Sequence, residues 1–168
     1  KSPGLLACCL FPPLFLLVFR LVVIDPVAHE DAPLFLLATG LLFSTGMVPG
    51  TTTVYPMAEA REKRTLRTLE LAGVGRAQMV AAHGVVSTLW TALMGAVCFL
   101  VSGAAFDCLL PFMLITVAAS IPLTALSLVL GLASRNQMAA SFFSLPIIIT
   151  GIAPLFFTYA EATFQALP

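Results

Sequence analysis

The chain has 168 residues, 60% of them hydrophobic and only 10% charged, with a mean hydropathy of +1.04 and a formal net charge of zero. Soluble domains cover their surface with roughly a quarter charged residues. That cover is out of reach here, so the composition excludes a water-soluble globular domain and points to an integral membrane protein.

The charges cluster and leave five runs free of Asp, Glu, Lys and Arg, at residues 2–19, 32–58, 77–106, 108–134 and 136–160. About 20 apolar residues in a helix span the hydrocarbon core, and lipid offers no partner to an unpaired backbone group. The predicted fold is therefore all-α, a single transmembrane domain over residues 1–168 with five membrane helices. The first, residues 4–24, contains Pro12 and Pro13, a kink that membrane helices tolerate when neighbours satisfy the freed carbonyls. A short acidic loop leads to the second, residues 34–55. There Gly46 and Gly50 have the GxxxG spacing of close helix approach, while Pro49 between them fits a kink equally well. A charged segment at 59–73 follows, then spans at 78–101, 109–133 and 138–159, the last two joined by a tight turn at 134–137.

Alternate threading of these spans places Lys1, Arg61, Lys63, Arg64, Arg67, Arg76 and Arg135 on one side, seven of the eight basic residues. The other side receives Asp25, His29, Glu30, Asp31, Asp107 and Glu161. Positive charge marks the cytoplasmic face, so the N-terminus is expected inside and the C-terminus outside. Arg20, near the outer end of the first span, is expected to snorkel outward or to pair with Asp25. Cys8, Cys9 and Cys98 fall inside predicted spans, where a thiol acts as a small apolar group, and Cys108 lies near the outer face. No disulfide framework follows from them. The first span lacks the small-residue cleavage site of a signal peptide.

Few side chains suggest chemistry. His83 and Ser87 share a face of the third span, but no acid lies near to orient them as a base and nucleophile. His29, Glu30 and Asp31 read as a hydrated loop more readily than as a metal site, which needs more fixed ligands. Ser44, Thr45, Thr51, Ser87, Thr88, Thr91, Thr116 and Ser120 are expected to bond within their own helix or to a neighbour.

The charged segment is the exception in an otherwise apolar chain. Strong helix formers fill it, Glu59 precedes Lys63 by four, and Gly73 and Gly75 end it. A short amphipathic helix on the cytoplasmic face is predicted, with Leu66 and Leu69 on one stripe and Lys63, Arg67 and Glu70 on another. From composition alone it is a positive-inside anchor touching lipid headgroups.

The order of its residues says more. From Ala58 to Leu69 the chain reads AEAREKRTLRTL, which resembles the EEKEKxTLRxL signature that follows the second membrane helix in ABC-2 type transporter permeases. Residues 71–79, LAGVGRAQM, look like that family's turn into the third helix. From Gly131 to Ala140 the chain reads GLASRNQMAA, with Pro146 beyond, and resembles the family's GxxxKNQMxA…P junction of helices four and five. Arg64 stands where many members have a small or polar residue, and His83 where lysine is common. The resemblance covers nearly the whole chain. Members have six spans and a cytoplasmic helix leading into the first, so this chain is expected to be part of a longer protein.

The resemblance implies the membrane subunit of an ATP-driven exporter in the cytoplasmic membrane of a prokaryote. No Walker-type phosphate loop occurs in the sequence, so the chain itself is not expected to be an enzyme or to hold a cofactor. ATP and Mg are expected on a separate nucleotide-binding ATPase subunit. A second permease subunit, identical or related, and membrane lipid are the other expected partners, and nucleic acid is not one. In the family the segment after span two docks in a groove on the ATPase. Carried over, Leu66 and Leu69 become apolar anchors, and Glu59, Arg61, Glu62, Lys63, Arg64, Thr65 and Arg67 complete the contact as its polar part. No metal site or substrate contact is assigned. Two alternatives are an ion-driven transporter, although no Asp or Glu lies inside a predicted span, and a membrane assembly protein without transport.

Overall fold

The structure, a computed structural model, describes residues 3–24, 32–63, 65, 71, 73, 75–134, 136, 138–150 and 153. These form α1 (Pro3–Phe19), prolonged by a π-helical turn (Arg20–Ile24), and α2 (Ala32–Pro49), prolonged by a second π turn (Gly50–Val54) into α3 (Tyr55–Glu62). Then follow α4 (Arg76–Ser102), a 3-10 turn (Phe106–Cys108), α5 (Leu109–Ala133) and α6 (Met138–Thr150). The architecture is all-helical. Three stretches are long and apolar enough to cross a bilayer: Pro33–Glu62 with 30 residues, Ala77–Ser102 with 26 and Phe106–Ala133 with 28. The chain is a membrane protein. Shorter apolar helices lie at Leu10–Val22 and Met138–Thr150, and most of residues 151–159, assigned by sequence to the fifth span, lie outside the described residues.

The helix of α2 and α3 is the hub. It packs on α1, α4 and α5, and its apolar window is 61% buried against 33% for α4 and 22% for α5. The remaining faces of α4 and α5 expose Val85, Val86, Leu89, Leu110, Leu114 and Ile121, as lipid-facing surfaces do. Toward the end where α1 passes into its π turn, Leu16, Leu36 and Cys98 form a buried cluster. Beside it a row of rings zips α1 to α2, with Phe15 and Phe43 stacked at 4.8 Å.

The buried polar side chains among the described residues are hydroxyls, and most bond to their own backbone, with Thr53 and Thr124 left without a hydrogen-bond partner. Thr45, Thr51, Thr88, Thr91 and Thr116 each donate to the carbonyl four residues back, at 2.7 to 2.9 Å. Ser44 and Ser120 donate three residues back. The expectation of own-helix bonding holds for these. In the GxxxG segment Pro49 is followed by the π turn, and a Cβ on Gly50 would meet Ile147 at 3.8 Å, an ordinary contact that does not demand glycine.

Arg20 has a partner that the sequence did not indicate. Its guanidinium donates to the carbonyl of Val101 in the last turn of α4, where carbonyls lack intrahelical donors. The positive charge also suits a helix C-terminus. Gly103 ends α4 in the left-handed region at φ 71°, which glycine adopts without cost, and a Cβ there would lie 3.2 Å from Arg20 Nη1. Asp25, the other expected partner, lies outside the described residues. Because a hydrogen bond to a charged group contributes roughly 1.5–3 kcal/mol, Arg20→Met is expected to lower the heat-unfolding midpoint in detergent. An unchanged midpoint would mean that the link is idle.

Candidate functional site

The charged segment begins as the continuation of the second helix. Sequence placed the end of that helix at residue 55 and a new helix from 59. Instead the helix runs on through Pro56 to Glu62 and stops at Lys63, whose N–H donates to the Glu59 carbonyl at 2.9 Å. The reason is packing. Met57 and Ala58 are fully buried, so the apolar face persists past the length that a bilayer requires. Glu59, Arg61 and Glu62 are thus the final turn of the hub helix.

Each of these charges has a distinct surrounding. Glu59 and Lys63 form the expected ion pair four residues apart. Its hydrogen bond, and then its charge, hold the Lys63 ammonium above the ordinary lysine pKa. Arg61 points elsewhere, donating from Nη1 to the carbonyl of Leu132 and, at 3.3 Å, to that of Ser134. Thr65 is helical and exposed, and Leu71 is helical and 82% exposed. Arg64, Leu66, Arg67 and Leu69, the rest of the expected contact, lie outside the described residues.

Arg61 leads to the second motif. Ser134 is buried at the end of α5, and both its N–H and its hydroxyl donate to the Leu130 carbonyl. Two residues on, the Asn136 side-chain oxygen accepts the Ala139 N–H at 2.8 Å and its carbonyl accepts that of Ala140 at 3.1 Å. This is the N-cap pattern that starts α6. The tight turn expected at 134–137 is present at both described positions. Gly131 lets α3 press against α5: a Cβ there would stand 2.9 Å from Met57 Cβ and 3.2 Å from Val54 Cα. Val54, Ala58, Ala140 and Ile147 form one buried apolar cluster, flanked by Tyr55, whose hydroxyl donates to Ser141 at 3.3 Å. The two motifs, separate in sequence, meet in space at the end of the bundle that carries the basic charge.

His83 and Ser87 do not meet. His83 Nδ1 contacts the Met79 carbonyl at 3.0 Å, while the buried Ser87 hydroxyl pairs with Thr52 at 2.9 Å across the α2–α4 interface. Among the described residues no group of three His, Cys, Asp or Glu gathers in the way a metal site needs. His29, Glu30 and Asp31 lie outside them. Sequence reasoning missed the inward use of Arg61, and nothing in the sequence signals it, since the acceptors are backbone carbonyls. No known protein family, curated protein or solved structure matches the chain, so a functional reading rests on the two motifs and on the contact between them.

Proposed function

We propose that the chain is the membrane permease subunit of an ABC-2 type exporter, contributing five of its spans, with its N-terminus in the cytoplasm. Substrate crosses between this chain and a second permease subunit, and a partner ATPase carrying ATP and Mg supplies the energy. The observation that supports the reading is the contact of Val54, Met57, Ala58 and Arg61 with the Gly131–Ala140 segment. Both motifs resemble conserved features of one family, and a transporter driven from its cytoplasmic face needs a receiving element joined to its spans.

In this reading the segment at 59–73 enters a groove of the ATPase, with Leu66 and Leu69 as apolar anchors. Glu59, Arg61, Glu62, Lys63, Arg64, Thr65 and Arg67 form the polar rim, screened by salt over about 10 Å at 0.1 M. Arg61 stays exposed in that rim while also donating to carbonyls of its own chain.

The test is co-expression of the full chain with the ATPase encoded beside it, followed by purification through the permease in mild detergent. ATPase is expected to co-purify and to be lost with Leu66→Glu, because a carboxylate in an apolar groove is costly to desolvate. Retention of both ATPase and transport by Leu66→Glu would overturn the proposal, as would the absence of an ATPase from wild-type preparations.

A further inference from the structure

The end of α3 is fastened to the α5–α6 turn by several independent links. The Arg61 guanidinium reaches carbonyls 71 and 73 residues further along the chain, at a helix end, where the last carbonyls lack intrahelical donors. Gly131 removes the side chain that would hold the helices apart. On the far side of the turn, Tyr55 reaches Ser141, and Val54 and Ala58 pack on Ala140 and Ile147. The turn between these attachments is itself fixed, by Ser134 bonding back to Leu130 and Asn136 capping α6. Arg61 brings a formal charge and two hydrogen bonds to the junction, and charge-assisted bonds are the strong ones.

We infer that Arg61 is a positioning residue that locks the charged end of the second helix to the α5–α6 turn. A force received at residues 62–65 then arrives at α5 and α6 together and is not dissipated by bending of the helix end. The source of that force rests on the exporter reading above. The lock itself is a property of this chain alone, and it can fail or hold independently of any ATPase. An Arg61 that served a partner surface would leave the turn unchanged when removed.

Hydrogen exchange of the full chain in lipid nanodiscs, with no partner present, separates these cases. The reporters are the amides of Ser134, Ala139 and Ala140, each bonded within the turn, and the amide of Cys108, bonded to the Ala105 carbonyl at the other end of α5. Arg61→Ala is expected to speed exchange at the turn about tenfold, equivalent to about 1.4 kcal/mol of local opening, and to leave Cys108 unchanged. Arg61→Lys is expected to restore part of the protection, since an ammonium supplies the charge without the fork. No change at the turn would overturn the inference. So would an equal rise at Cys108, because Arg61 would then support the fold in general. If the alanine chain does not insert, Arg61→Gln keeps an N–H donor on a side chain two atoms shorter and uncharged, and should show a rise confined to the turn. Wild-type exchange in the glutamine chain overturns the inference as well.

Discussion

Gly131→Leu is expected to separate α3 from α5 and to cause the largest loss of stability of any single substitution at the α5–α6 end of the bundle. A Cβ at this position already falls 2.9 Å from Met57 Cβ and 3.2 Å from Val54 Cα. Neither opposing atom is the tip of a flexible side chain, so no rotamer change relieves the contact. Two effects compete in the smaller substitution. Gly131→Ala gains about 1 kcal/mol of helix propensity, while overpacking costs about 1–3 kcal/mol, leaving a net loss of about 1 kcal/mol. Leucine has almost the same propensity gain and adds three more carbons to the clash. Its loss is expected to exceed about 3 kcal/mol. Heat unfolding in detergent should rank the chains wild type, alanine, leucine, in falling stability. The Ser134 and Ala140 amides should lose protection in the same order. A leucine chain as stable as wild type would show that α3 and α5 do not approach in this way.

Phe99→Ala is the second large expectation, and it acts at the opposite end. Phe99 is 1% exposed, with its ring 5.6 Å from that of Phe112 and 6.4 Å from that of Phe106. In a water-soluble core such a truncation costs about 3–5 kcal/mol, part of it lost transfer from water. In a bilayer the surroundings of the unpacked helix are already hydrocarbon, so the cavity and the lost ring contacts must carry the cost. About 2 kcal/mol is therefore expected. Phe99→Leu, which refills most of the space, should recover more than half of it. Reversible unfolding in mixed micelles measures both values. Equal stability of the alanine and wild-type chains would place Phe99 toward lipid.

The spans were legible wherever charge or glycine bounded them. Residues 78–101 and 109–133 correspond to Arg76–Ser102 and Leu109–Ala133 because Arg76, Gly103 and Asp107 mark the ends of apolar runs. Facing was not legible. A helix apolar on all sides carries no periodic stripe to show which side meets its neighbours. The pairing of Ser87 with Thr52, and not with His83, depends on helix rotation alone. The boundary at 55–59 failed for a related reason. Pro56 resembles a stop signal, but burial of Met57 and Ala58 against α5 holds the helix past it. The candidate site was legible as two motifs, whereas their contact was not, because Arg61 binds carbonyls that every residue possesses.

The inward-turned hydroxyls have a mechanical consequence. Thr45, Thr51, Thr88, Thr91 and Thr116 each donate to their own backbones, and Thr116 turns its methyl toward Gly95 of the neighbouring helix. A methyl contact of that kind holds helices by packing and, unlike a hydrogen bond, sets no direction. The cross-helix bonds at Arg20, Thr52, Tyr55 and Arg61 then serve as pivots. A tilt that keeps these bonds intact costs less than one that breaks them.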